Sequence, residues 1–243
     1  MLRTQKDVAE ISHPQQESLT STEQVQMRYY DAQDWFSRNK NTAYIALGVL
    51  VAAIAGLYFY NQNKEEQNER ASALLSRIVP MYLQGDYRKA VDGDPSQKVG
   101  NESTLGLRQI VSEYGSTDAG NQAALFLANS YYYLGQPDSA LAMFDKVDID
   151  APVVQASVEA GRAAVLEDKG NKAEAAKLFE SAAKRSEENP LNADYYLSAA
   201  QGYEAAGNKD EAIRLYKMLL EEYQGTQYDD AAKRALIKLG VEA

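Results

Sequence analysis

GNKAEA, residues 170–175, recurs in related form at three other places in the sequence. The four copies are GDYRKA (85–90), GQPDSA (135–140), GNKAEA (170–175) and GNKDEA (207–212). Each copy places an alanine five residues after a glycine. A glycine in the left-handed conformation ends a helix, and an alanine lets the following helix pack closely against the first. The repeated segment therefore predicts pairs of antiparallel helices joined by a tight turn.

Residues around the last three glycines also keep fixed offsets. A small residue precedes each glycine by seven positions, a large apolar residue precedes it by four, and an aromatic residue follows it by nine. The small residues are Ala128, Ala163 and Ala200, the large ones are Tyr131, Leu166 and Tyr203, and the aromatic ones are Phe144, Phe179 and Tyr216. Small side chains mark close helix contacts, and large ones fill the space between helices. The pattern predicts an all-α protein built from stacked helical hairpins.

This arrangement resembles the tetratricopeptide repeat, a family with a period of about 34 residues. The spacings between the last three glycines, 35 and 37 residues, bracket that period. The resemblance implies a helical-hairpin solenoid with three repeats at about 121–152, 156–189 and 193–224. A terminal helix over 228–239 is expected to cap the array.

The two ends of the array are less regular than its middle. In the terminal helix, Ala231, Ala235 and Leu239 share one helical face, which we expect to be the buried one. Before the first regular repeat, a degenerate helical hairpin is expected at about 62–115, where the run GDPSQKVGNEST (93–104) interrupts the second helix.

An apolar run precedes the array. Residues 42–60 read TAYIALGVLVAAIAGLYFY, 19 residues without a charged side chain. A helix of this length spans roughly 30 Å, the thickness of the bilayer core. Tyr44 lies near one end of this run and the aromatic residues 58–60 lie at the other, so their rings would lie at the two headgroup regions of the bilayer. We expect one transmembrane helix here, the alternative being a buried core helix, and we expect Pro80 to kink or end its continuation.

The predicted organisation has four parts. They are a cytoplasmic tail (1–41), a transmembrane helix (42–60), a stalk with the degenerate hairpin (61–120), and the three repeats with their cap (121–243). Within the tail, residues 1–20 show no apolar periodicity and are expected to stay mobile. A short amphipathic helix is expected from Ser21, either lying on the membrane surface or solvated.

The charges that flank the apolar run set its expected orientation. Arg28, Arg38 and Lys40 precede it, while Lys64 and Arg70 follow it among glutamates. Because cytoplasmic flanks carry the excess of basic residues, the tail is expected in the cytoplasm and the repeats in the periplasm of a bacterial inner membrane.

Small residues recur along the apolar run itself. Gly48, Ala52 and Gly56 lie four residues apart and form one stripe on a helix. Such a stripe lets a second membrane helix approach closely. The alternative is the ordinary glycine and alanine content of membrane helices.

Composition limits the chemistry that the chain supports. It has no cysteine and a single histidine, His13, so thiolate metal sites and a histidine-based triad in the repeats are excluded. No phosphate-binding or metalloprotease motif occurs. Residues 61–243 carry 20 basic and 29 acidic side chains, a net charge of −9 that would repel nucleic acid. We expect a protein that is not an enzyme and needs no metal or cofactor, and whose partners are proteins.

The resemblance to tetratricopeptide repeats also implies which residues would line a partner-binding groove. By their offset from the start of each repeat, the candidates are Gln122, Leu125, Asn129, Tyr132, Tyr133, Glu167, Asp168, Asp194, Leu197, Gln201 and Glu204. Tyrosines suit adaptable contact with a peptide, and carboxylates favour basic partners. The alternative is that the tyrosines are packing residues and the carboxylates a solvated face.

The order of segments resembles the YfgM-like inner-membrane proteins, which are ancillary subunits of the SecYEG translocon. The shared features are a tail ending in DWFSRNK (34–40), one membrane helix, and an acidic, degenerate repeat array. The resemblance implies that the array meets newly exported chains or their chaperones while the anchor contacts the translocon. The clear repeats and the GTQY segment (225–228) also resemble assembly and cell-division scaffolds. A structural subunit of another membrane complex therefore stays the alternative.

Overall fold

The computed structural model describes residues 21–99, 102–185 and 189–242. The prediction for the first 20 residues lies outside these ranges. Helices make up most of the described chain, which confirms the all-α prediction. The chain divides into two compact units, one ending at Tyr60 and the other beginning at Asn61.

Two helices begin in the described part of the first unit, residues 21–60. They are α1 (Ser21–Arg38) and α2 (Lys40–Leu83). The apolar part of α2 has the length and composition to cross a membrane, and none of it is buried. Because length and composition are the only grounds, a transmembrane role for α2 stays a prediction.

Pro80 does not end α2, contrary to one of the two expected outcomes. The helix runs three residues further, to Leu83. Gly85, with φ of 81°, then ends it through hydrogen bonds from Gly85 N to Tyr82 O (3.0 Å) and from Asp86 N to Met81 O (2.9 Å). Proline removes only its own N–H from the helix, and buried side chains such as Ile78 hold the last turns in place.

The irregular segment after α2 contains a β-hairpin that the sequence does not predict. Its elements are α3 (Tyr87–Asp92), β1 (Gly93–Val99), β2 (Glu102–Leu105) and α4 (Leu107–Tyr114). The strands pair antiparallel, with Gly93 opposite Leu105. A Cβ on Gly93 would lie 2.3 Å from the carbonyl oxygen of Thr104, so only glycine fits at the base of the hairpin.

The regular array follows as three hairpins and a last helix. The hairpins are α5 (Asp118–Tyr133) with α6 (Pro137–Phe144), α7 (Pro152–Asp168) with α8 (Lys172–Arg185), and α9 (Asn192–Ala205) with α10 (Lys209–Glu222); the last helix is α11 (Gln227–Lys238). The first helices of the three hairpins begin one to four residues before the predicted starts. Thr117 explains one shift, because its side chain caps α5 by accepting from Gly120 N.

The repeated glycine–alanine segment has the predicted structure. The turn glycines of the last three copies adopt positive φ, as Gly85 does: Gly135, Gly170 and Gly207. Their partner alanines and the preceding small residues are buried: Ala140, Ala175, Ala212, Ala128, Ala163 and Ala200. The aromatic residues of the pattern are buried as well. These side chains form the centre of two apolar clusters that run through the repeats.

The buried face of the terminal helix is rotated from the predicted one. Ala232 and Leu236 are fully buried, while Ala235 and Leu239 only flank the core. Asp229 joins the buried face because its carboxylate accepts hydrogen bonds from Gly225 N (3.1 Å) and Lys233 Nζ (2.9 Å). These bonds satisfy a charge that hydrophobic periodicity alone would place in solvent.

Candidate protein-binding groove

Aromatic rings gather where α5 ends. Tyr133 stacks on Tyr87 of α3, with ring centroids 4.6 Å apart and planes 14° from parallel. Tyr132 lies 5.4 Å from Tyr133, and Tyr82 of α2 contacts both Tyr87 (5.6 Å) and Phe126 (4.9 Å). Although the rings pack on one another, Tyr133 is 57% exposed. The cluster therefore combines packing with an open apolar surface.

Two carboxylates at the end of α7 lie next to this cluster. Glu167 and Asp168 are both exposed, and both lie close enough to Tyr132 to act on its pKa. Partial burial, followed by the negative charges of Asp168 and Glu167, raises the pKa of Tyr132 above its usual value. The structure thus brings together four predicted groove residues from two repeats.

A cleft of about 480 Å³ lies at the other end of the array. Its lining residues are Gln201, Glu204, Ala205, Tyr216, Arg234, Ala235 and Lys238. Glu204 accepts hydrogen bonds from Lys238 Nζ (2.7 Å) and the Tyr216 hydroxyl (3.0 Å). The bond from Lys238 is the main cause of the lowered pKa of Glu204.

This end of the groove is less acidic than the sequence suggests. Lys238 compensates Glu204, and Arg234 adds a second positive charge from α11. Repeat offsets could not find these two residues, because the terminal helix lies outside the repeats. The charged residues in YDDAAKRALIK (228–238) are the feature of the sequence that could have indicated these two basic residues.

The other predicted groove residues are distributed between surface and core. Gln122 and Asp194 are exposed, whereas Asn129 is half-buried. Leu125 and Leu197 are half-buried and pack against the two apolar clusters. Each of the two leucine side chains therefore packs partly in the core.

Family comparison gives a result that agrees with this geometry. Residues 33–239 match the tetratricopeptide repeat-like domain. The chain belongs to this family. No curated protein and no solved structure shows significant similarity to it.

An internal charge network links two repeats of this tetratricopeptide repeat-like protein. The Glu180 carboxylate, which is 10% exposed, accepts from Arg214 Nη2 (2.8 Å), Lys184 Nζ (2.5 Å) and the Tyr203 hydroxyl (3.1 Å). Burial alone would raise the pKa of Glu180, but these hydrogen bonds outweigh it and the pKa is lowered. The repeat offsets predict that Tyr203 lies in the core, but they do not predict that its hydroxyl contacts the Glu180 carboxylate.

Two predicted features of the tetratricopeptide repeat-like protein concern other sites. Gly48, Ala52 and Gly56 are exposed on α2, and a Cβ at either glycine would meet no atom within 4 Å. The helix-docking stripe stays a prediction. Within the described ranges, no group of three or more histidine, aspartate or glutamate side chains is placed to hold a metal ion.

Proposed function

We propose that this tetratricopeptide repeat-like protein is a single-pass scaffold of a bacterial inner membrane that binds other proteins during export. The observation that carries the proposal is an exposed aromatic and acidic surface at one end of the array and a cleft at the other. Repeat arrays of this family bind proteins. The export role comes from the likeness to YfgM-like translocon subunits.

The membrane part of the proposal rests on α2. Its apolar part carries no charged residue, and none of it is buried. An apolar surface of this size is unfavourable in water and favourable in lipid. Basic residues before this segment favour a cytoplasmic N-terminus and periplasmic repeats.

The nature of the partner rests on the groove. Tyrosines present a ring and a hydroxyl at low entropy cost, so they adapt to many sequences. A surface of this kind suits exported chains and their chaperones better than a small molecule. Catalysis is not part of the proposal, because the chain lacks cysteine and the repeats lack histidine.

Co-purification of the full chain in mild detergent tests this function. We expect translocon subunits together with exported chains, and we expect the exported chains to increase when translocation is slowed. A control variant replaces the apolar run 42–60 with an unrelated single membrane helix, which should reduce capture of the translocon and spare groove binding. A fixed, stoichiometric partner that does not respond to translocation would contradict the export role and favour a structural subunit.

A further inference from the structure

Two carboxylates lie beside the tyrosine cluster, at the end of α7. Within the described ranges, neither Glu167 nor Asp168 forms an ion pair. Lys169, their neighbour in sequence, pairs instead with Asp138 at 2.8 Å. By contrast, the carboxylates of Glu180 and Glu204 each have a lysine or arginine within 2.8 Å. Among the described residues, the end of α7 therefore carries two carboxylates that no lysine or arginine pairs with.

The neighbouring tyrosine rings also attract a cation. The face of a tyrosine ring is electron-rich and attracts a cation within about 6 Å. Tyr87 and Tyr133 are stacked, and Tyr133 is mostly exposed. Tyr132 links the rings to the carboxylates, since its ring contacts Tyr133 and it lies at the end of α5, next to the end of α7 that carries Asp168.

We propose that this aromatic–acidic cradle, formed by Tyr87, Tyr132, Tyr133, Glu167 and Asp168, binds a lysine or arginine side chain in an extended segment of the partner. The inference rests on the proposed function and adds the chemistry of the recognised segment. The alkyl stem of the side chain would lie on the tyrosine rings while its charged end meets the carboxylates.

Charge complementarity selects this occupant over others. An apolar segment seated here would remove water from Glu167 and Asp168 without compensating their charge, which is costly. An acidic segment would meet these carboxylates and the net charge of −9 on residues 61–243. A basic side chain satisfies both the rings and the carboxylates.

Peptide binding to the full chain in lipid nanodiscs tests the inference. The probes are three short fluorescent peptides of alanine, serine and leucine that differ only at the central residue, which is arginine, norleucine or glutamate. We expect the arginine peptide to bind about tenfold more tightly than the norleucine peptide, with salt reducing the difference. Two variants are compared with the wild type, Glu167→Gln/Asp168→Asn and Tyr133→Ala.

The control variant Glu174→Gln/Asp210→Asn removes the same charge from the exposed starts of α8 and α10. We expect the cradle variants to lose most of the preference for arginine and the control to keep it, with thermal unfolding verifying that all variants fold. Equal binding of the arginine and norleucine peptides, no binding of either, or equal loss in the control would each overturn the inference. Translocon co-purification is a separate readout, so the proposed function would stand or fall independently.

Discussion

Gly161 makes room for the Phe144 ring against the backbone of α7. A Cβ at this position would lie 2.3 Å from Cζ of Phe144 and 2.6 Å from Cε1. We expect Gly161→Ala to destabilise the fold by about 1–3 kcal/mol, because Phe144 is buried and its ring must shift. Urea unfolding of the full chain in detergent measures the effect. The double variant Gly161→Ala/Phe144→Leu should recover part of the loss, and an unchanged unfolding free energy in the single variant would contradict the packing.

Glu180 makes stability depend on pH. Because its pKa is lower in the folded protein than in the unfolded chain, its charged form stabilises the fold at neutral pH, and this contribution is lost as the pH falls through the folded-state pKa. Arg214 and Lys184 are about half exposed, so solvent screens part of the interaction. We expect Glu180→Gln to cost about 1–2 kcal/mol at neutral pH and much less in acid.

Unfolding of the wild type and the Glu180→Gln variant across the acidic range measures this dependence. Glu174→Gln is the matched control, since Glu174 is exposed on the same helix. Its stability difference from the wild type should be small and nearly independent of pH. A Glu180→Gln difference that persists unchanged in acid would show that the charge of Glu180 is not what stabilises the network.

At the level of elements, Pro80 is a weak point of α2. It lies inside the helix and its side chain is exposed, so it removes a backbone donor without contributing to the core. We expect Pro80→Ala to stabilise the fold by about 1–3 kcal/mol, since the missing hydrogen bond is restored and no packing is lost. Thermal unfolding measures the change, with the nearby exposed substitution Ser76→Ala as a control. A neutral or destabilising outcome would mean that the proline fits its helix without cost.

The sequence predicts the regular elements well for a physical reason. Turn glycines and close-packed alanines are local requirements, so each hairpin repeats them at Gly135, Gly170 and Gly207. The β-hairpin after α3 was missed because two short strands depend on their surroundings rather than on intrinsic preference. The rotated face of α11 was missed because Asp229 is buried through hydrogen bonds that apolar periodicity does not register.

The candidate site was predictable only where the repeats are regular. Family offsets found Tyr132, Tyr133, Glu167 and Asp168, which the structure brings together. They missed Tyr87, which contacts Tyr133 from a helix outside the regular repeats. In the same way they missed the basic residues that α11 contributes to the cleft. The offsets apply to residues within one repeat, whereas a binding surface also includes residues from helices at the ends of the array.

For the whole molecule, the proposed topology is open to direct labelling because the chain has no cysteine of its own. Single-cysteine variants Gln26→Cys and Lys217→Cys place a thiol in α1 and on the exposed side of α10. We expect a membrane-impermeant maleimide to label Lys217→Cys in cells with a permeabilised outer membrane, and Gln26→Cys only after lysis. The reverse pattern would overturn the orientation, and labelling of both thiols before lysis would argue against the membrane crossing.

The central claim is that the groove of a membrane-anchored repeat array holds other proteins, and photo-cross-linking in living cells tests it most directly. A photo-reactive residue at Gln201, in the groove, is compared with one at Lys217, on a second helix of the array. We predict that Gln201 captures exported chains or their chaperones, that these adducts increase when export is slowed, and that Lys217 captures few. Identical products at the two positions, or no protein adduct at Gln201, would contradict the account.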